Sequence, residues 1–176
     1  MNKQDITGAL VNNYRSFTDY LGTVTDNAFM LSQNNKWTPG QHLEHMVRSV
    51  RPVVLAFMLP KFLLSLLFGK SNRPSRTYEE VVFKYTKKLA EGAKASGYFI
   101  PPPVPSGKRN ELIQKLNASA SKLASQVNGF TEKDLDTYLL PHPVLGKMTL
   151  REMIYFTMYH VNHHHKNLKA ELENTQ

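Results

Sequence analysis

The seven histidines of this 176-residue chain hold most of its chemical options, because it contains no cysteine. That absence excludes disulfides, iron–sulfur clusters, cysteine-ligated zinc and a cysteine nucleophile. His160 and His164 stand four apart near the C-terminal end, in the run HVNHHHKNL. On a helix this spacing sets two Cβ atoms about 5–6 Å apart, so both rings can turn toward one ion. Neutral imidazole is a favoured ligand for zinc, nickel, copper and iron. Met153, Thr157, His160, His164 and Leu168 follow at steps of three or four, flanked by Leu150, Ile154, Val161 and Leu172. The pair therefore belongs to an inward, largely apolar stripe. Two polar rings in such a place need partners, and a metal supplies one to both. His163 and His165 point elsewhere on the wheel and are expected to face solvent or to support the ligands from behind.

A third ligand is sought on the segment WTPGQHLEHMV, which carries His42 and His45. The apolar stripe there is Leu43, Val47, Val50, Val54 and Phe57, and neither histidine lies at its centre. His45 shares an edge with Ser49, Pro52 and Ala56, all small. Spacing alone leaves His42 and His45 equal. Glu44, Glu152 and His163 are candidate bases by proximity in sequence, each with a solvated surface as its expected place. His142, between two prolines, reads as a loop residue, with a role at the mouth of the site as the alternative. Gly69-Lys70-Ser71 has the end of a phosphate loop, but Leu64 stands where its first glycine belongs.

Helical periodicity dominates the elements that must position these residues. A first helix is expected over residues 3–21, with Ile6, Leu10, Tyr14 and Phe17 inward and Gly22 at its end. A loop follows. Thr38, Pro39 and Gln41 make a capping box that opens a second helix over about residues 39–59. Residues 53–68, VVLAFMLPKFLLSLLF, read as a buried helix and a second short apolar segment, because Pro60 and Lys61 interrupt them. Residues 78–96 give a further helix, PPPVP a stiff extended crossover, and residues 108–127 another helix. Residues 139–147 read as a rigid loop. Thr149 and Glu152 form a second capping box, opening a helix over residues 150–172, about 34 Å long. The expected fold is all-α, a four-helix bundle with long crossover connections in one domain, residues 1–176.

The formal net charge of +8 is spread along the chain without a block of like charges, and no nucleic-acid-binding motif accompanies it. It reads as a solvated basic surface. The polar start MNKQDITGAL lacks an apolar signal region, and no stretch is long enough for a transmembrane span. A cytoplasmic protein is the expectation.

WTPGQHLEHMV resembles the second-helix pattern of the DinB-like (YfiT-like) superfamily, in which a Trp followed by Ser or Thr opens the helix and a His eight residues on binds metal. Counted from Trp37, that histidine is His45. HVNHHHKNL resembles the last-helix H-x-x-x-H pattern, which places ligands at His160 and His164. The resemblance implies a four-helix bundle, often a homodimer, with a three-histidine site for nickel, zinc or a similar divalent ion. It also implies a small-molecule substrate. Relatives include thiol S-transferases and isomerases that use a low-molecular-weight thiol, and proteins labelled metal-dependent hydrolases. A non-catalytic protein with a structural metal or an apolar-ligand pocket is the alternative. The chain departs from the pattern at His165-Lys166-Asn167, where Gly-Gln is frequent, and in its strongly apolar residues 62–68.

Overall fold

The computed structural model describes residues 1–32 and 36–173. Four long helices form the bundle: α1 (Lys3–Thr23), α3 (Pro39–Phe57), α6 (Arg109–Asn128) and α8 (Leu150–Glu173). Between them come α2 (Asp26–Met30), α4 (Lys61–Phe68), α5 (Tyr78–Ala90) and α7 (Glu132–Thr137). α1 packs on α6 and α8, and α3 packs on the same two helices. Around the bundle the order is therefore α1, α6, α3, α8. The chain crosses a diagonal between α1 and α3 and again between α6 and α8, as the long connections required.

Each bundle helix buries one stripe. Ile6, Leu10, Tyr14, Phe17 and Leu21 of α1 meet Leu112, Leu116, Leu123 and Val127 of α6 within one core, joined by Leu43, Val47, Val50 and Phe57 of α3. Fully burying such a side chain contributes roughly 1.5–3 kcal/mol. α8 differs: every residue from Leu150 to Met158 is buried, because α1, α5, α7 and the following hairpin surround it. A helix covered on all sides needs no single apolar stripe.

Two local expectations are corrected, and the second apolar segment is placed. The loop expected after Gly22 begins only after Thr23 and contains α2; residues 33–35 of that connection lie outside the described residues. Residues 139–149 form an antiparallel hairpin, β1 (Leu139–His142) and β2 (Gly146–Thr149), with His142 opposite Gly146. Gly146 adopts φ +74, the left-handed conformation a three-residue hairpin loop requires, which only glycine enters freely. The second apolar segment is not buried. α4 bends 113° away from α3, so that Leu64 faces the core while Phe62 and Leu66 remain 69% and 77% exposed. Among the described residues no single helix is long and apolar enough to cross a membrane.

Glu152, expected on a solvated surface, is fully buried at the start of α8. It closes the capping box with Thr149, accepting from the Thr149 amide at 3.1 Å while its own amide donates to Thr149 Oγ1 at 3.2 Å. It also accepts from the Arg73 guanidinium at 2.6 and 2.9 Å and from the Arg76 amide at 2.7 Å. Burial raises its pKa, but these donors outweigh burial and hold the carboxyl below 4.5.

Glu152→Ala leaves two arginines facing an apolar helix start. The expected cost is about 3 kcal/mol, the low end for a broken buried pair because both guanidiniums keep contact with water. Urea unfolding at pH 7 measures it, and a loss under 1 kcal/mol would remove the anchoring role. The contribution of Glu152 is present above pH 4.5 and is lost as pH falls through its lower folded value.

Candidate metal centre

The capping box on α3 fixes where the second-helix histidines stand. Gln41 N donates to Thr38 Oγ1 at 3.1 Å, Thr38 N donates to Gln41 Oε1 at 3.0 Å, and Pro39 occupies the first turn. The crossover before α6 is then clamped to this helix. Gln41 Nε2 donates to the Pro101 carbonyl at 3.2 Å, and Arg48 Nη1 donates to the carbonyls of Tyr98 and Ile100 at 3.0 and 3.2 Å. Between them His45 Nδ1 meets the Phe99 carbonyl at 2.7 Å. A carbonyl only accepts, so the His45 proton sits on Nδ1 and Nε2 is left as an acceptor, with the Ser49 hydroxyl 3.4 Å away.

That Nε2 lies 3.3 Å from His160 Nε2, which in turn lies 3.1 Å from His164 Nε2. His45, His160 and His164 are all buried, and their ligand atoms lie within 4.8 Å of one another. Ligand nitrogens 2.0–2.1 Å from a tetrahedral ion are separated by roughly 3.3 Å. The His45–His160 and His160–His164 separations are close to that value.

The outer nitrogen of His164 is also held. His164 Nδ1 lies 2.7 Å from His42 Nδ1, and Trp37 stacks on the His164 ring at 6.2 Å between centroids. One of these two nitrogens carries the proton and the other accepts; an ion on His164 Nε2 would set the proton on His164 Nδ1 and the His42 proton on Nε2. His42 Nε2 is buried with no hydrogen-bond partner among the described residues, and a Glu171 carboxylate oxygen lies 3.7 Å away. The two histidines that spacing could not separate thus differ in place: His45 enters the cluster, and His42 backs His164.

Burial lowers the pKa of all four rings, reinforced for His160 and His164 by the crowding of other imidazoles. Their neutral form is the form that ligates a metal.

The cluster opens onto a cavity of about 600 Å³ lined by His45, His160 and His164 themselves. His163 is half-buried and also lines it, with Asn167 at 3.1 Å from its Nε2. His165 lies apart, against Phe17 and Tyr20 of α1. Glu44 pairs with Arg48 at 2.7 Å, and Glu152 is committed to Arg73 and Arg76. Of the three candidate bases, only His163 reaches the cavity. Tyr85 was not anticipated: its ring meets Phe156 and His160 edge-on, and burial pushes its phenol up to about 12. Its position on α5, opposite α8, is a tertiary fact with no local sequence signal. His142, expected in a loop, stands on β1 with its ring against Phe156 at 4.2 Å.

Residues 9–168 match the DinB superfamily. The chain belongs to that family. Among solved structures it is similar to the Bacillus subtilis protein described as "YfiT from Bacillus subtilis is a probable metal-dependent hydrolase with an unusual four-helix bundle topology". The TM-score is 0.65 at 16% identity, over 98% of this chain and 87% of that one. That likeness establishes a shared four-helix-bundle fold. No curated protein matches the sequence.

The depressed histidines set a pH dependence in metal-free protein. A buried neutral histidine takes its proton later than the same residue in the unfolded chain, which titrates near 6.5. Stability is therefore full above about pH 6.5 and declines as pH falls toward about 4, the value for His42 and His142. Each such group contributes up to about 1.4 kcal/mol per pH unit in that window. Urea midpoints in chelator should be lower at pH 5.5 than at pH 7.5. Equal midpoints would show that these rings are not buried neutral.

Proposed function

We propose that this DinB-superfamily chain is a metal-dependent enzyme in which His45, His160 and His164 hold one divalent transition ion, nickel or zinc. The observation that supports this is the position of the cluster at the wall of a cavity. Among the described residues the group comprises three imidazoles and no fourth protein ligand. A structural site closes its shell with protein groups, whereas a catalytic site keeps a position for substrate or water. Here the uncovered side of the trio faces about 600 Å³ of space. An ion bound there supplies Lewis acidity, which polarises a substrate oxygen and acidifies a water or thiol that reaches it.

The surrounding residues do the rest. Phe99 and His42 fix the two ring orientations from outside. Trp37 covers the His164 face. The donor set is all neutral nitrogen, so an ion keeps its full charge for the reacting group. The reaction classes this suits are hydrolysis and thiol S-transfer to or from a small molecule.

Elemental analysis of untagged protein purified without chelator tests the reading. Wild type should carry about one nickel or zinc per chain, and His160→Ala close to none. A wild type without stoichiometric metal would sink it. His42→Phe should keep the fold and weaken metal affinity about 10–100-fold, the range for removing a hydrogen bond behind a ligating histidine. Competition with a chromogenic chelator measures this, and an unchanged affinity would show that His42 does not orient His164. Turnover of activated esters with and without added thiol then separates the two reaction classes.

A further inference from the structure

The cavity walls carry more information than the histidine cluster needs. Val53 and Ala56 of α3, Leu140 of β1, Val144 of the hairpin loop, and Met153 and Phe156 of α8 make its surface mostly apolar. No described residue lining it is acidic, and the charged groups present, Lys88 and Lys94, are cationic. Its size lies within the range of small-molecule sites. Such walls disfavour a cation, which would meet like charge and lose its hydration without an acidic partner.

One polar group in this apolar wall has a fixed hydrogen position. His142 Nδ1 accepts from the backbone amides of Val144 and Leu145 at 3.1 and 3.0 Å. Two N–H donors on one ring nitrogen leave no room for a proton there, so the neutral ring carries its proton on Nε2. Burial keeps the ring neutral, with Lys84 adding to the effect. Both hydrogen bonds of the ring to described residues use Nδ1, which leaves the Nε2–H to donate elsewhere. The hairpin turn therefore fixes one N–H on a residue that lines the cavity among apolar neighbours, whereas the charged donors Lys88 and Lys94 stand on or beyond α5. The Phe156 ring touches both His142, at 4.2 Å, and His160, at 4.9 Å, so the donor and the cluster flank the same wall.

We propose that the cavity takes an uncharged or anionic compound with an apolar, alkyl- or aryl-sized body, and that His142 Nε2–H holds an oxygen acceptor of that compound. The proposal rests on the cavity being the substrate site of the metal-dependent reading above. His142 is a positioning and specificity residue: it selects compounds that bear a carbonyl, carboxylate or similar oxygen at that depth.

Trp37 is the sole tryptophan and lines the cavity, so its fluorescence reports occupancy. The probe is cyclohexyl methyl ketone, which has an apolar ring, one acceptor oxygen and negligible absorption where tryptophan emits. It should change Trp37 emission saturably in metal-loaded protein and, with at most a modest change in Kd, after chelation. Cyclohexylethylamine, cationic at pH 7, should not. His142→Asn keeps an oxygen to accept the hairpin amides but has no Nε2–H, and should raise the ketone Kd about tenfold with metal content and melting temperature unchanged. His142→Gln restores a terminal N–H and should recover part of the affinity. Absence of a saturable ketone signal, equal binding of the amine, or an unchanged Kd in His142→Asn would each overturn the proposal. Metal content, read on the same samples, shows separately whether the metal-dependent reading stands.

Discussion

Everything at this site follows from one constraint: buried imidazole nitrogens of three histidines are held 3.1–3.3 Å apart at the wall of the core. At that distance two facing lone pairs repel, whereas an N–H on one ring or a cation shared among the rings makes the contact favourable. Burial pushes the pKa of His160 and His164 down, so the rings stay neutral and keep nitrogen lone pairs to offer. The bundle thus gathers three neutral donors in one place, before any question of what they hold.

The cost of holding the rings there is met outside the cluster. The Phe99 carbonyl accepts from His45 Nδ1–H, and His42 shares a hydrogen bond with His164. The Phe99 carbonyl belongs to the crossover that Gln41 and Arg48 bind to α3. On α8 the equivalent restraint is at the far end, where Glu152 ties the helix start to the loop that precedes α5. A shift of α8 along its axis would displace His160 and His164 relative to His45. The buried carboxylate therefore bears on the site although it lies two turns from His160 and touches none of the ligands.

The local parts of this design were legible in the sequence. The His160/His164 spacing and the Thr38 and Thr149 capping boxes depend on residues within four positions of one another, and the helix period reports them directly. His45 against His42 did not yield to spacing, because the choice depends on how α3 is rotated against α8. The family resemblance supplied it. Glu152 read as a surface residue because its partners, Arg73 and Arg76, lie in a connection with no periodicity to read. His142 looked like a loop residue because two prolines flank it, yet the strand pairing that buries its ring is set by Met148 and Gly146 opposite. The exposed face of α4 was missed for a related reason: composition shows that residues 62–68 are apolar, but the bend after Phe57 decides which way they face.

The diagonal crossovers have a consequence for when the site comes into being. His45 and His160 are 115 positions apart, and α3 and α8 meet in a bundle where α6 packs on α3 and on α1. Closing so long a loop costs entropy that earlier contacts must already have offset. A chain still leaving the ribosome holds His45 for most of its synthesis without the other two rings. The histidine cluster is complete only when α8 has been made and docked, and an ion binding to it would act as a latch, drawing that docking toward completion by mass action.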